Sequence, residues 1–311
     1  TYIYMAIRRP NKPPESATEV FAIDTGSGSS TTPTYDSGFP VDFAMRVKLG
    51  IAYPSVKFGA RLTGEKVVDT QYNGHYGSYN QFVWDSNLGH GKTDGADYTS
   101  YMFKRAPGFM DVVSYKGTSS NKIESHSLTV IPELIIVKRL DNPGQNWTVY
   151  AEPITESRSL LLNEDTASIY HPGGWNSTVP TSTYFTVGTD GAVNGSPYQY
   201  IAYLFATLPG ISKVGSYSGS SGANISVDCG FSSGARFVMV KRTDATGDWY
   251  VWDTNRGINT YGNDPYFILN DTLNVTNTNY IAALTQGFSI MSSAPAALNT
   301  TGGTYLFLAI A

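Results

Sequence analysis

PELIIVKR, from Pro132 to Arg139, returns as ARFVMVKR, from Ala235 to Arg242, a step of 103. Both are short apolar runs closed by a Lys-Arg pair and flanked by turn residues, which is the pattern of a strand rather than a helix. Phe237 to Val240 is apolar throughout and predicts a strand buried on both faces. NWTVYAE from Asn146 returns as DWYVWDT from Asp248, a step of 102. There Trp147 and Val149 alternate with Thr148 and Tyr150, the period of two that gives a strand two different faces.

Other landmarks keep the same step. Tyr101-Met102-Phe103, Tyr203-Leu204-Phe205 and Tyr305-Leu306-Phe307 are spaced by 102, as are Pro107-Gly108 with Pro209-Gly210 and Tyr115 with Tyr217. LLLNED from Leu160 matches FILNDT from Phe267, and YFTVG from Tyr184 loosely matches GFSIM from Gly287. The opening third diverges: VDFAMRVKLG from Val41 reads as its VKR strand, QFVWD from Gln81 as its YFTVG strand, and RRPNKPPES from Arg8 as an insert. An internal period of this length predicts three units, 8–106, 107–208 and 209–311, since shorter solenoid repeats run to 20–50 residues. TYIYMAI, Thr1 to Ile7, resembles TYLFLAI, Thr304 to Ile310, and reads as the terminal strand of a preceding unit (1–7): either the chain is cut from a longer one inside an upstream repeat, the favoured reading, or the strand completes a sheet elsewhere. The expected fold class is all-β: a tandem array of three antiparallel β-sandwich units of jelly-roll or lectin-like kind, each closing its own core. A propeller, with blades nearer 40–50 residues, fits the period less well.

Charged residues are 15% of the chain and aromatics 13%, with a net charge of -4, so no basic face for nucleic acid is expected. Lys138-Arg139 and Lys241-Arg242 read as solvated strand ends. The lone Cys229 excludes an intrachain disulfide and reads as a small buried residue. No run approaches the roughly 20 apolar residues of a membrane-spanning helix, so no membrane insertion is expected. His75, His90, His126 and His171 stand at no metal-ligand spacing and read as surface loop histidines; no metal and no cofactor is expected. No catalytic motif is present. The acidic neighbours Glu164 with Asp165 and Asp94 with Asp97 are the carboxylate pairs to watch, and TDGAD and TDGAV read as turns.

Three loops stand out for Tyr, Trp, Gly, Ser and Asn: QYNGHYGSYNQ from Gln71, SIYHPGGWNSTVPTS from Ser168 and INTYGNDPY from Ile258. Rigid amphipathic aromatics among small polar residues are the composition of recognition loops. A sugar needs the same pairing of an apolar face and fixed polar partners. The candidate ligand-binding residues are Tyr72, His75, Tyr76, Tyr79, Tyr170, His171, Trp175 and Tyr261. The competing reading is that these aromatics cap the sandwich ends.

The runs NSTVPTSTYFTVGTDGAVNGS, YQYIAYLFATLPGISKVGSYSGSSG, VDCGF and FVMVKRTDATGDWYVWDTNRG resemble the repeated domain of tail-fibre-like virion proteins of marine and cyanobacterial tailed phages. The likeness is strongest from Val130 to Gly257 and weak over 8–80. It implies a non-enzymatic phage virion component on the tail, partnered by other tail proteins and by a host surface glycan or protein. A homotrimer is implied by the same analogy. It supplies no catalytic residues. The alternatives are a structural nozzle, adaptor or capsid-decorating protein, and a tail enzyme degrading host polysaccharide. The last needs two acids about 5 to 10 Å apart in a cleft.

Overall fold

The computed structural model describes residues 12–28, 32–48, 55–74, 77–78, 80–258, 262, 264–271 and 278–311. The TYIYMAI segment lies outside them. The chain is all-β, as its patterning requires. The first stretch contributes β1 (Phe21–Thr25), β2 (Tyr35–Asp36), β3 (Phe43–Lys48), β4 (Val56–Ala60), β5 (Lys66–Asp69), β6 (Gly77–Ser78), β7 (Gly89–His90) and β8 (Tyr98–Phe103). Next come β9 (Met110–Lys116), β10 (Lys122–Ser125), β11 (Leu134–Arg139), β12 (Thr148–Ala151), β13 (Arg158–Leu161), β14 (Ile169–Tyr170), β15 (Tyr184–Val187) and β16 (Gln199–Phe205). The last are β17 (Ser212–Ser218), β18 (Ile225–Asp228), β19 (Phe237–Arg242), β20 (Trp249–Asp253), β21 (Phe267–Ile268), β22 (Ile281–Leu284), β23 (Gly287–Ile290) and β24 (Thr304–Ile310).

Three large antiparallel sheets result, ordered β1-β8-β3-β4-β5-β6, β9-β16-β11-β12-β13-β14 and β17-β24-β19-β20-β21. Smaller sheets accompany them: β2-β7, β10-β15 and β18-β23-β22. Alternation along the strands sorts the side chains. Leu134 and Ile136 enter one apolar cluster while Ile135 and Val137 enter another with Tyr115, Trp175 and Phe185. QFVWD is an exception to the expected strand pattern: residues 81–85 form no strand, yet Phe82 and Trp84 are buried beside Tyr35.

The expectation that each unit closes its own core is corrected. The largest apolar cluster takes residues from all three large sheets, including Phe43, Phe103, Trp147, Phe205, Phe237 and Leu308. Rings meet across the boundaries: Phe43 lies 4.4 Å from Tyr203, Phe58 5.3 Å from Trp147, and Tyr101 5.7 Å from Phe237. At the centre an apolar void of about 20 Å³ is lined by residues of all three large sheets, among them Met45 and Phe103, Ile136 and Phe205, and Met239 and Leu308. With no polar atom to hold it, water has no reason to enter.

The boundaries repeat in detail. Trp147 donates its indole N–H to the Asp69 carbonyl (3.0 Å), and Trp249 donates to the Leu161 carbonyl (2.9 Å). The Lys138 ammonium caps the Asn73 and Gln145 carbonyls (3.3 and 2.6 Å); Lys241 caps those of Asp165 (2.8 Å) and Gly247. These lysines are fully buried and Arg139 nearly so, which overturns their reading as solvated strand ends. Burial pushes Lys138 down to about 7, with Arg139 adding to the effect. It pushes Lys241 down to about 8, against the opposing pull of Asp248 and Asp165. At the closing boundary, between the first and third sheets, the equivalent positions are the paired Val47 and Val56. There Thr70 Oγ1 donates to the Leu269 carbonyl (2.6 Å), and Gln71 Nε2 to that of Asp271 (2.7 Å).

Register corrects one sequence match. Ile136 pairs with Tyr203 and Arg139 with Tyr200, whereas Met239 pairs with Leu308 and Arg242 with Tyr305. Tyr305 therefore stands in the place of Tyr200, three residues from where the matching Tyr-Leu-Phe triplets put it. Burial decides: Tyr200 stacks on Tyr115 (5.2 Å) and Tyr305 on Tyr217 (4.8 Å). Their hydroxyls donate to the Gly191 and Ala296 carbonyls (2.7 and 2.8 Å). A different slip would carry these rings away from their stacking partners and carbonyl acceptors.

Candidate functional site

The loop after β13 carries three of the sequence candidates, and the structure separates them. Tyr170 sits on the edge strand β14 and is 73% exposed, next to the exposed Ile169. Trp175 closes the four-residue helix α1 (Pro172–Trp175) and is buried, its ring 5.7 Å from Tyr150. It is a core residue, which removes it from the binding set. His171 is partly buried between the two.

These side chains form a relay. Trp175 donates its indole N–H to Ser159 Oγ (2.9 Å), so the serine proton goes on to His171 Nδ1 (2.9 Å). His171 Nε2 faces Asp190 Oδ2 at 3.3 Å. Asp190 Oδ1 accepts the Ala192 N–H (2.7 Å) and so caps the short helix α2 (Gly191–Asn194). The His171 hydrogen bond holds the Asp190 carboxyl below its ordinary range, against burial and with help from the Ala192 amide. The contact is tight at Gly174, where a Cβ would lie 2.8 Å from the His171 ring. Serine, histidine and aspartate within hydrogen-bond reach are the parts of a nucleophilic triad. Here Ser159 is fully buried and its oxygen already takes the Trp175 proton, so no substrate carbonyl can reach it. The relay clamps the loop to the sheet. Ser159→Ala should lower stability by about 1–3 kcal/mol by orphaning Trp175 and His171, and thermal unfolding measures this. Labelling of Ser159 by a serine-directed phosphonate would refute the clamp.

The second candidate region follows β5. Lys57 and Asp69 are cross-strand partners on β4 and β5. Asp69 Oδ1 accepts from Lys57 Nζ (2.7 Å) and Ser55 Oγ (3.1 Å), while the Asp69 carbonyl holds Trp147. Three residues on, Tyr72 stands 55% exposed. Val68, Asp69, Tyr72 and Gly74 line a surface depression of about 310 Å³. His75, Tyr76, Tyr79 and Tyr261 lie outside the described residues.

The remaining sequence candidates serve the fold. Asp94 is buried, accepting the Tyr35 hydroxyl (2.8 Å) and lying 3.2 Å from Arg46. Burial raises its carboxyl, with Arg46 and Tyr35 opposing. Asp97 faces Lys48 at the surface (3.2 Å). Glu164 accepts from Asn163 (3.2 Å), and the Asp165 carbonyl caps Lys241. His90 departs furthest from the surface-loop reading: it is fully buried between Tyr35 and Trp84, with ring centroids 5.1 and 5.2 Å away. His126 is partly buried, accepting the Leu128 amide at Nδ1 (3.2 Å), with Nε2 3.1 Å from the Thr181 carbonyl. Cys229 is buried, as read, and burial pushes its thiol up to about 12, where it is not nucleophilic. Among the described residues no cluster of metal-binding side chains occurs.

Two open grooves lie beside edge strands: one of about 270 Å³ includes Asp111, Ser114 and His126, the other of about 330 Å³ Lys213, Ser216 and Asp228. Their strands correspond, but their side-chain chemistry does not, so they share no ligand signature. At Tyr72, by contrast, the described residues join an exposed aromatic platform to a fixed carboxylate. Sequence composition pointed to Tyr72; no sequence signal pointed to Asp69, whose partners come from β4 and from Trp147.

No curated protein matches the chain. A family model matches residues 57–311, a span that takes in strands of all three large sheets. On that match the chain belongs to the family described as a domain of unknown function, DUF7483.

Proposed function

We propose that this protein is a non-enzymatic phage virion component, part of a tail fibre or tail-associated assembly, that contacts the host surface through exposed loops. The virion setting rests on the resemblance of its strand motifs. The recognition role rests on one observation: Tyr72 stands exposed over a depression that also holds the fixed Asp69 carboxylate. The scaffold suits that role, because a core shared by three sheets keeps the loop base rigid, and rigid supports lower the cost of binding. Several weak sites on one particle raise avidity by about 10² to 10⁴ without new contacts.

Labelled protein incubated with a panel of marine and cyanobacterial cells tests the proposal. Saturable adsorption is expected on at least one strain. Tyr72→Ala should weaken it about tenfold, as loss of one aromatic contact implies, while Leu88→Ala, at another exposed residue, should leave it unchanged. Absence of saturable adsorption, or equal adsorption by the Tyr72 variant, defeats the reading.

A further inference from the structure

The chemistry of the Tyr72 depression limits its ligand, an argument that rests on the recognition reading above. A pyranose offers an apolar C–H face and, beside it, hydroxyl donors. An exposed aromatic ring takes the face, and a carboxylate takes the hydroxyls if it does not have to reorganise first. Asp69 meets that condition. Oδ1 is held by Lys57 and Ser55, and the residue's own carbonyl is anchored by Trp147 from the neighbouring sheet. Its side chain remains 29% exposed, and no hydrogen bond to Oδ2 is formed by the described residues.

The same arrangement disfavours an anionic ligand. Among the described residues, Lys57 has a side chain only 11% exposed with its ammonium engaged by Asp69, and Lys138, whose ammonium reaches the Asn73 carbonyl, is fully buried. A sugar carboxylate or sulfate would meet the Asp69 charge with neither of these lysines free to offset it. We infer that the depression binds a neutral glycan, with a hexose ring against Tyr72 and neighbouring hydroxyls donating to Asp69, and rejects uronate, sialate and sulfated sugars.

The test is binding of the full chain to immobilised neutral glucans, galactans and mannans, and to alginate, polysialic acid and sulfated galactans, each at low and high salt. Retention on at least one neutral glycan, insensitive to salt, is expected. Tyr72→Ala should weaken it about tenfold and Tyr72→Phe by less than about threefold, since the ring supplies the contact. Asp69→Asn should also weaken it; because that change can loosen Lys57, unfolding curves accompany it, and the exposed Tyr72 variants carry the test if the fold suffers. Salt-sensitive retention on acidic glycans alone overturns the ligand class while leaving host recognition in place. Adsorption to cells without retention on any glycan overturns it in favour of a protein receptor. Failure of both retention and cell adsorption overturns this inference and the recognition reading together.

Discussion

Replacing Trp147 by alanine should cost about 3–5 kcal/mol, the range for a large aromatic removed from a well-packed core. Trp147 is fully buried, packs edge-on against Phe58, and ties β12 to the first sheet through the Asp69 carbonyl. The variant therefore leaves a cavity and also a buried carbonyl without its donor, a loss of about 1–3 kcal/mol in its own right. Trp147→Phe keeps most of the volume and should show only that second loss. Against a typical total stability of about 5–15 kcal/mol, the alanine variant loses a large fraction. Urea unfolding followed by far- and near-ultraviolet circular dichroism measures both effects. Because the sheets share one core, a single transition common to both probes is expected, displaced to lower urea in the variant. Independent units would instead unfold in steps, with Trp147→Ala affecting one step alone; that outcome would contradict the shared core.

Lowering the pH from 7 to 4 should destabilise the protein through His90 by about 3 kcal/mol. His90 is held neutral: burial pushes its pKa down to about 3, and the nearby Arg46 and Arg61 charges push the same way. Its Nε2 lies 2.7 Å from Ser100 Oγ, and among the described residues the buried Nδ1 has no partner to accept a second proton. Unfolding restores a pKa near 6.5. Between about 6.5 and 3 the unfolded chain thus binds a proton that the folded chain refuses, and stability falls as pH falls through that window. Above it the contribution is complete. Asp94, raised by burial, acts with the opposite sign in acid, so total stability alone does not isolate the histidine. His90→Phe keeps an aromatic between Tyr35 and Trp84 and removes the titration. Its stability should change less than that of the wild type between pH 6.5 and 4.5, whatever its baseline. Parallel curves for the two proteins would rule out His90 as the source.

How much of this was legible in the chain depends on which signal carried it. The strands at Leu134–Arg139, Thr148–Ala151 and Phe237–Arg242 followed from apolar runs and alternation, because the backbone presents side chains to opposite faces whatever lies beyond them. Tyr72 and Tyr170 were found by loop composition, and both prove exposed. Trp175 came from the same signal and proved buried, since composition does not say which way a ring turns. His90, Lys138 and Lys241 were missed because burial of a polar group depends on partners distant in sequence: Lys138 needs the Asn73 carbonyl, and His90 needs Tyr35, Trp84 and Ser100.

The all-β class, the two-faced patterning of its short strands and the recurrence of motifs about a hundred residues apart are legible in the residues alone. Those are local properties, set by side-chain period and turn chemistry. Tertiary structure alone decided that three large sheets share one core, that Tyr305 takes the place of Tyr200, and that Asp69 is held fixed beside Tyr72. Each of these depends on which apolar face meets which. That choice is made by the total burial and hydrogen bonding of surfaces far apart along the chain, so no single stretch records it.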